Sequence, residues 1–134
     1  FIVPDLPLEE SDELRAALAG QGLGLVQLVT PATPPARLVR LAQASRGFLY
    51  AVTVTGITGG GAGLPAELAG YLDRVREASP LPVCAGFGIR TAADVSAVGR
   101  HASGAIVGSA LVEVLERGKD PAAFLRALGG AGAR

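Results

Sequence analysis

The chain has little of what redox, metal and nucleic-acid sites are usually built from. Its 134 residues hold one cysteine, one histidine, no methionine and no tryptophan. A single thiol, Cys84, excludes an internal disulfide framework and a cysteine-ligated zinc site, and its apolar setting predicts a buried strand residue. Four Phe and two Tyr are too few for a base-stacking platform. Twelve Lys+Arg balance twelve Asp+Glu, so the basic excess that a nucleic-acid partner requires is absent. No apolar run reaches membrane-spanning length and no charged–apolar–small leader is seen, so no membrane partner and a cytoplasmic location are expected. Lysine occurs once, as Lys119, in a predicted loop far from any strand end. Schiff-base chemistry therefore has no candidate.

What the chain does have is aliphatic residues and glycine. Nearly half of it is hydrophobic and 19 residues are Gly, enough for one domain with a real core. Short apolar runs at residues 1–3, 25–29, 47–52, 82–85 and 104–107 alternate with helix-periodic stretches. The first helix is expected over residues 9–19, with Leu14, Ala17 and Leu18 on its apolar stripe. Thr33 reads as the N-cap of the second, with Pro34 at N1 and Leu38, Leu41 and Ala42 inward. Pro65 opens a third, facing inward with Leu68, Tyr71, Leu72 and Val75. Thr91 and Asp94 have capping-box spacing before Val95 and Val98. A short helix is expected over residues 109–117, and a last one from Asp120-Pro121 with Phe124, Leu125 and Leu128 inward. Residues 129–132 read as a frayed tail. Five βα repeats with near-continuous apolar strands predict an α/β fold, its parallel sheet buried on both faces.

In parallel α/β folds ligands meet the carboxyl ends of the strands. That rule leaves Asp5, Tyr50, Thr58, the Gly59-Gly60-Gly61 loop, Phe87 and Ser109 as candidates. Gly86-Phe87-Gly88 and Gly108-Ser109 each end an apolar run where a helix begins. Unpaired first-turn N–H groups and the helix dipole attract an anion there. A tight turn without a ligand would explain either glycine cluster alone, and Ser109 could merely cap its helix. Tyr50 could be a packed core tyrosine or a polar group beside the glycine-rich loop. That loop, residues 55–63, could be a passive connector or a lid. The remaining carboxylates, Glu9 and Glu113 among them, read as solvated helix faces, and His101 falls on the opposite side of the sheet.

Five stretches together resemble the α subunit of tryptophan synthase: Val3-Pro4-Asp5-Leu6-Pro7-Leu8-Glu9-Glu10, Tyr50-Ala51-Val52, Thr55-Gly56-Ile57-Thr58-Gly59, Gly86-Phe87-Gly88-Ile89 and Val107-Gly108-Ser109-Ala110. They stand in that family's order across essentially the whole chain. The resemblance implies a (β/α)8 TIM barrel, of which residues 1–134 would be the C-terminal part, about five βα units of one domain, with the N-terminal units missing. It implies a lyase of tryptophan biosynthesis that cleaves indole-3-glycerol phosphate to indole and glyceraldehyde 3-phosphate. Substrate would be held by Ile2, Tyr50, Thr58, Gly59, Phe87, Gly88, Gly108 and Ser109, with the loop over residues 55–63 as the lid. No cofactor is implied for this chain: pyridoxal phosphate belongs to the β subunit, the expected partner in an α2β2 assembly. The family's two proton-transfer carboxylates lie in the units before Phe1. Asp5 and Tyr50 are then at most supporting residues, and the chain alone is expected to be inactive. Other phosphate-gripping barrels, of the indoleglycerol-phosphate synthase or phosphoribosyl isomerase type, share the glycines but not the Pro-Asp-Leu-Pro and Thr-Gly-Ile-Thr-Gly stretches. A non-catalytic phosphate-binding or subunit-contact fragment is the further alternative.

Overall fold

A computed structural model describes residues 1–53, 64–86 and 88–129. Four parallel strands, β1 (Gln27–Val29), β2 (Leu49–Val52), β3 (Val83–Gly86) and β4 (Gly104–Ile106), lie side by side in sequence order. Among the described residues six α-helices accompany them: α1 (Asp12–Gly20), α2 (Pro35–Ala44), α3 (Ala66–Ala78), α4 (Ala92–Val98), α5 (Ser109–Glu116) and α6 (Pro121–Gly129).

The first predicted strand is reduced to one bridge, Ile2 against Val26. Val26 N donates to Phe1 O at 2.8 Å, but Pro4 has no N–H to continue the ladder and Leu6 N turns back onto Val3 O. The predicted first helix is likewise divided. Leu8–Glu10 forms a 3-10 turn, and Ser11, whose hydroxyl donates to Leu8 O at 2.7 Å, separates it from α1. Pro34, not Thr33, occupies the N-cap of α2, with Pro35 at N1. Thr33 Oγ1 instead accepts the Thr30 N–H at 2.9 Å and closes the preceding turn. The capping box of α4 forms as predicted, with Thr91 Oγ1 accepting from Asp94 N and the Asp94 carboxylate accepting from Thr91 N. Ala17 and Leu125, predicted inward, are exposed. The inward face of α3, by contrast, is Leu68, Tyr71, Leu72 and Val75, all buried.

The sheet is buried on one face, not two. Val29, Leu49, Ala51, Val83 and Ala85 are fully buried and form one core cluster with side chains of α2, α3 and α4. The alternate residues Leu28, Tyr50, Val52 and Cys84 are only half-buried. Cys84 is thus not the core residue that its apolar setting predicts. Side chains of a strand point to opposite faces in turn, and register carries the pattern across the sheet. Leu28, Tyr50, Cys84 and Gly104 form one cross-strand row, and Val52, Gly86 and Ile106 the next. Stacked rows of this kind line the interior of a (β/α)8 barrel, whose inner face is closed only by the full ring of strands.

Candidate functional site

At the carboxyl ends of β3 and β4 lies a cavity of 260 Å³ lined by Tyr50, Gly88, Arg90, Ile106, Gly108 and Ser109, with Ile89 and Ala110. The lining comes from within β2 (Tyr50), the end of β4 (Ile106), the turn after β3 (Gly88, Ile89, Arg90) and the start of α5 (Gly108, Ser109, Ala110). Gly88 has φ +74°, in the left-handed region, where a side chain costs about 1–2 kcal/mol. That turn reverses the chain from β3 toward α4, and Ile89 is buried behind it. Gly108 is the N-cap of α5 and Ser109 its first residue. Gly108 has no side chain with which to cap α5, and Leu111 N already donates to Gly108 O at 2.9 Å, so among the described residues the N–H groups of Ser109 and Ala110 are the ones left for another acceptor. A Cβ built on Gly108 meets no atom of the other described residues within 4 Å. Their packing therefore does not demand glycine there.

Tyr50 crosses the open face of the sheet toward β3. A Cβ built on Gly86 would stand 2.6 Å from Tyr50 Cζ and still closer to its hydroxyl, so the ring lies where a side chain of residue 86 would be. Burial raises the Tyr50 pKa above its ordinary value, which keeps the phenol protonated at neutral pH. Beside it Thr53, buried at the end of β2, donates from N and Oγ1 to Gly86 O, both at 3.0 Å. The ends of β2 and β3 are thereby held together.

Arg90 stands on the rim and Glu113 outside it, and neither was singled out in the sequence as a site residue. The Arg90 guanidinium is paired with the Glu113 carboxylate on α5. The pairing raises the arginine pKa, and the hydrogen bond from Arg90 lowers that of Glu113. The arginine follows Gly-Phe-Gly-Ile directly, and that adjacency was the available signal. Glu113, which reads as a solvated helix face, carried none.

The other predicted residues fall elsewhere. Ile2 shares the open face with Tyr50 but pairs with Val26, one row nearer the amino ends, and does not reach the cavity. Asp5 lines a separate cleft of 280 Å³ with Thr33 and Arg37. Thr58, Gly59, Phe87 and the predicted lid over residues 55–63 lie outside the described residues. His101 pairs with Asp73 at 2.9 Å, before β4 and away from the strand ends that carry the cavity, as expected. A larger groove of 810 Å³ runs from Phe1 past Arg15 and Leu23 to Phe48. It opens at the amino ends of β1 and β2, where barrel folds carry stability and not chemistry. Among the described residues no cluster of His, Cys, Asp or Glu could hold a metal ion, and no helix is long and apolar enough to cross a membrane.

Successive parallel βα units with glycine-ended strands around one small cavity define a parallel α/β architecture of the barrel type. The sequence pattern described as "Tryptophan synthase alpha chain" matches residues 1–128, and the chain belongs to that family. The tryptophan synthase alpha chain of Carboxydothermus hydrogenoformans is 46% identical over 116 residues, 87% of this chain and 43% of that one. Its counterpart in Lactiplantibacillus plantarum is 41% identical over 126 residues, 94% of this chain and 48% of its own. Among solved structures, tryptophan synthase subunit alpha from Legionella pneumophila superposes with a TM-score of 0.79 at 32% identity, over 97% of this chain and 50% of that one. Tryptophan synthase from M. tuberculosis gives 0.77 at 36%, over 97% and 47%. The chain spans about half the length of the relatives it matches. Its fold is part of their (β/α)8 barrel.

Proposed function

We propose that this chain supplies the phosphate- and indole-binding side of a carbon–carbon lyase that cleaves indole-3-glycerol phosphate to indole and glyceraldehyde 3-phosphate, in tryptophan biosynthesis in the cytoplasm. The observation that carries the reading is the convergence of Gly88, Gly108 and Ser109 on one cavity at neighbouring strand ends. Backbone N–H groups there suit a phosphate dianion. Thr58, Gly59 and Phe87 would complete the grip, and the glycine-rich loop would close over the substrate. Tyr50 would line the pocket toward the reacting end.

Cleavage of the bond between indole C3 and the glycerol phosphate chain is a retro-aldol step. Protonating C3 turns the ring into an electron sink, and removing the proton of the side-chain hydroxyl releases the aldehyde. Each such proton transfer is worth roughly 10²–10⁴-fold. No carboxylate lines the cavity among the described residues. The proton-transfer groups would come from family segments that precede the one matched here, and the chain alone would then be inactive. The chain would need no cofactor of its own. A β subunit carrying pyridoxal phosphate would receive the indole, in an α2β2 assembly. The same lack of a lining carboxylate favours a second reading of the chain taken by itself, a phosphate-binding module without catalysis.

The test is titration of the chain with inorganic phosphate and glycerol 3-phosphate, followed by amide NMR. The expected result is saturable shifts at residues 88–90 and 108–110. Gly108→Ala should abolish them while leaving the unfolding midpoint within about 0.5 kcal/mol, because its methyl group meets no atom of the other described residues. Equal shifts in both proteins would overturn the reading.

A further inference from the structure

The last registered pair between β3 and β4 is Gly86 with Ile106. Beyond it the chain turns at Gly88 on one side and enters α5 at Ser109 on the other, with no further ladder pair among the described residues. Arg90 bridges that gap. Its backbone N–H donates to Asp94 Oδ2 at 3.0 Å, and the same oxygen takes the Thr91 N–H at 2.9 Å. Asp94 is buried at the start of α4, so this end of the bridge is fixed. The other end is the guanidinium, paired with Glu113, which stands four residues beyond Ser109 and so about one turn along α5. Arg117, 3.7 Å from the same carboxylate, helps to hold Glu113 from its own helix.

We propose that Arg90 and Glu113 are positioning residues, whose ion pair ties the β3–α4 turn to α5 and sets the spacing between Gly88 and Ser109 around a bound phosphate. The inference rests on the phosphate reading above. An arginine serving the anion directly would make Glu113 a competitor for it. A tether makes Glu113 an equal partner, and the two roles separate by sign.

The experiment measures the dissociation constant for inorganic phosphate on the 134-residue chain at fixed ionic strength, with the urea unfolding midpoint beside it. R90Q and E113Q are each expected to weaken binding about two- to five-fold, the scale of an exposed ion pair, with unchanged midpoints. The double variant is expected to be no weaker than either single one, because the pair acts as a unit. The charge-swapped R90E/E113R variant should recover affinity. Tighter or unchanged binding in E113Q would overturn the tether, and so would a swap that recovers nothing. A loss of affinity that only follows a falling midpoint would overturn it too, leaving a purely structural pair. If the wild-type chain takes no phosphate, the phosphate reading fails and the tether with it. If wild type and R90Q bind equally well, only the tether fails.

Discussion

At Gly86 the space for a side chain is taken by the ring of Tyr50. Adding even a methyl group forces either the ring or the strand to move, and overpacking of this kind costs about 1–3 kcal/mol. Gly86→Ala should therefore lower stability by that amount and displace the phenol from the cavity. In a Tyr50→Leu background the same substitution should cost much less, and a double-mutant cycle in urea would read the difference. Additive losses would show that the ring is not what Gly86 accommodates. The residue scale is also where the sequence was least complete. The glycines at the strand ends were legible because each interrupts an apolar run, and at Gly88 a positive φ requires one. Arg90 and Glu113 lie 23 positions apart and meet only through the packing of two βα units. Nor could the sequence show that Gly86 and Tyr50 are diagonal neighbours on one face, since pairing Tyr50 with Cys84 and Val52 with Gly86 depends on a strand alignment.

Among the elements, the 3-10 turn and α2 are joined by Glu9, whose carboxylate receives both Arg37 Nη1 at 2.8 Å and Arg37 Nη2 at 3.0 Å. Arg40 approaches to 3.4 Å. The Arg37 hydrogen bonds, with help from the turn's own backbone, lower the Glu9 pKa from 4.5 to about 2. A depressed carboxylate adds stability that is complete above its unfolded value and is lost as pH falls through its folded one. The urea midpoint should thus fall as pH drops from 4.5 toward 2. In Glu9→Gln that limb should be shallower, and an identical slope would show that the pair contributes nothing. The pair is exposed, so the effect is small. At this scale the order and type of elements were readable from alternating apolar runs and helical spacing. Their ends were not, wherever two residues competed for one role. Pro34 and Pro35 both fit a helix start, and only the Thr30–Thr33 hydrogen bond decides between them. The capping box at Thr91 was legible because both its partners lie within one turn.

At the scale of the whole molecule, the described residues form a sheet with one covered face and two open edges. Ile2 is exposed at one edge, and Ile106 and Val107 are half-buried at the other. Unpaired strand groups beside apolar side chains are a template for a further strand. Apolar burial is worth roughly 25 cal/mol per Å², so a few hundred Å² covered at each edge favours association by several kcal/mol before entropic costs. Prepared alone, the chain should self-associate at micromolar concentration, as sedimentation would show. A sharply unfolding monomer would contradict it. The parallel α/β class followed from the apolar strands, yet their hydrophobicity did not reveal that one face stands uncovered. A barrel's interior is as apolar as its helix-covered exterior, and the alternation of burial along β1, β2 and the start of β3 separates the two.

That alternation has a chemical consequence for the chain's only sulfur atom. Cys84 stands on the uncovered side, in the row between Tyr50 and Gly104, where a Cβ on Gly104 would meet its Sγ at 3.2 Å. Partial burial raises its pKa, and since the thiolate is the reactive form, alkylation is slow at neutral pH and quickens with added base. Whatever strands or subunits close over the inner face must also close over this thiol. Its labelling rate is therefore a built-in gauge of how complete the cylinder is.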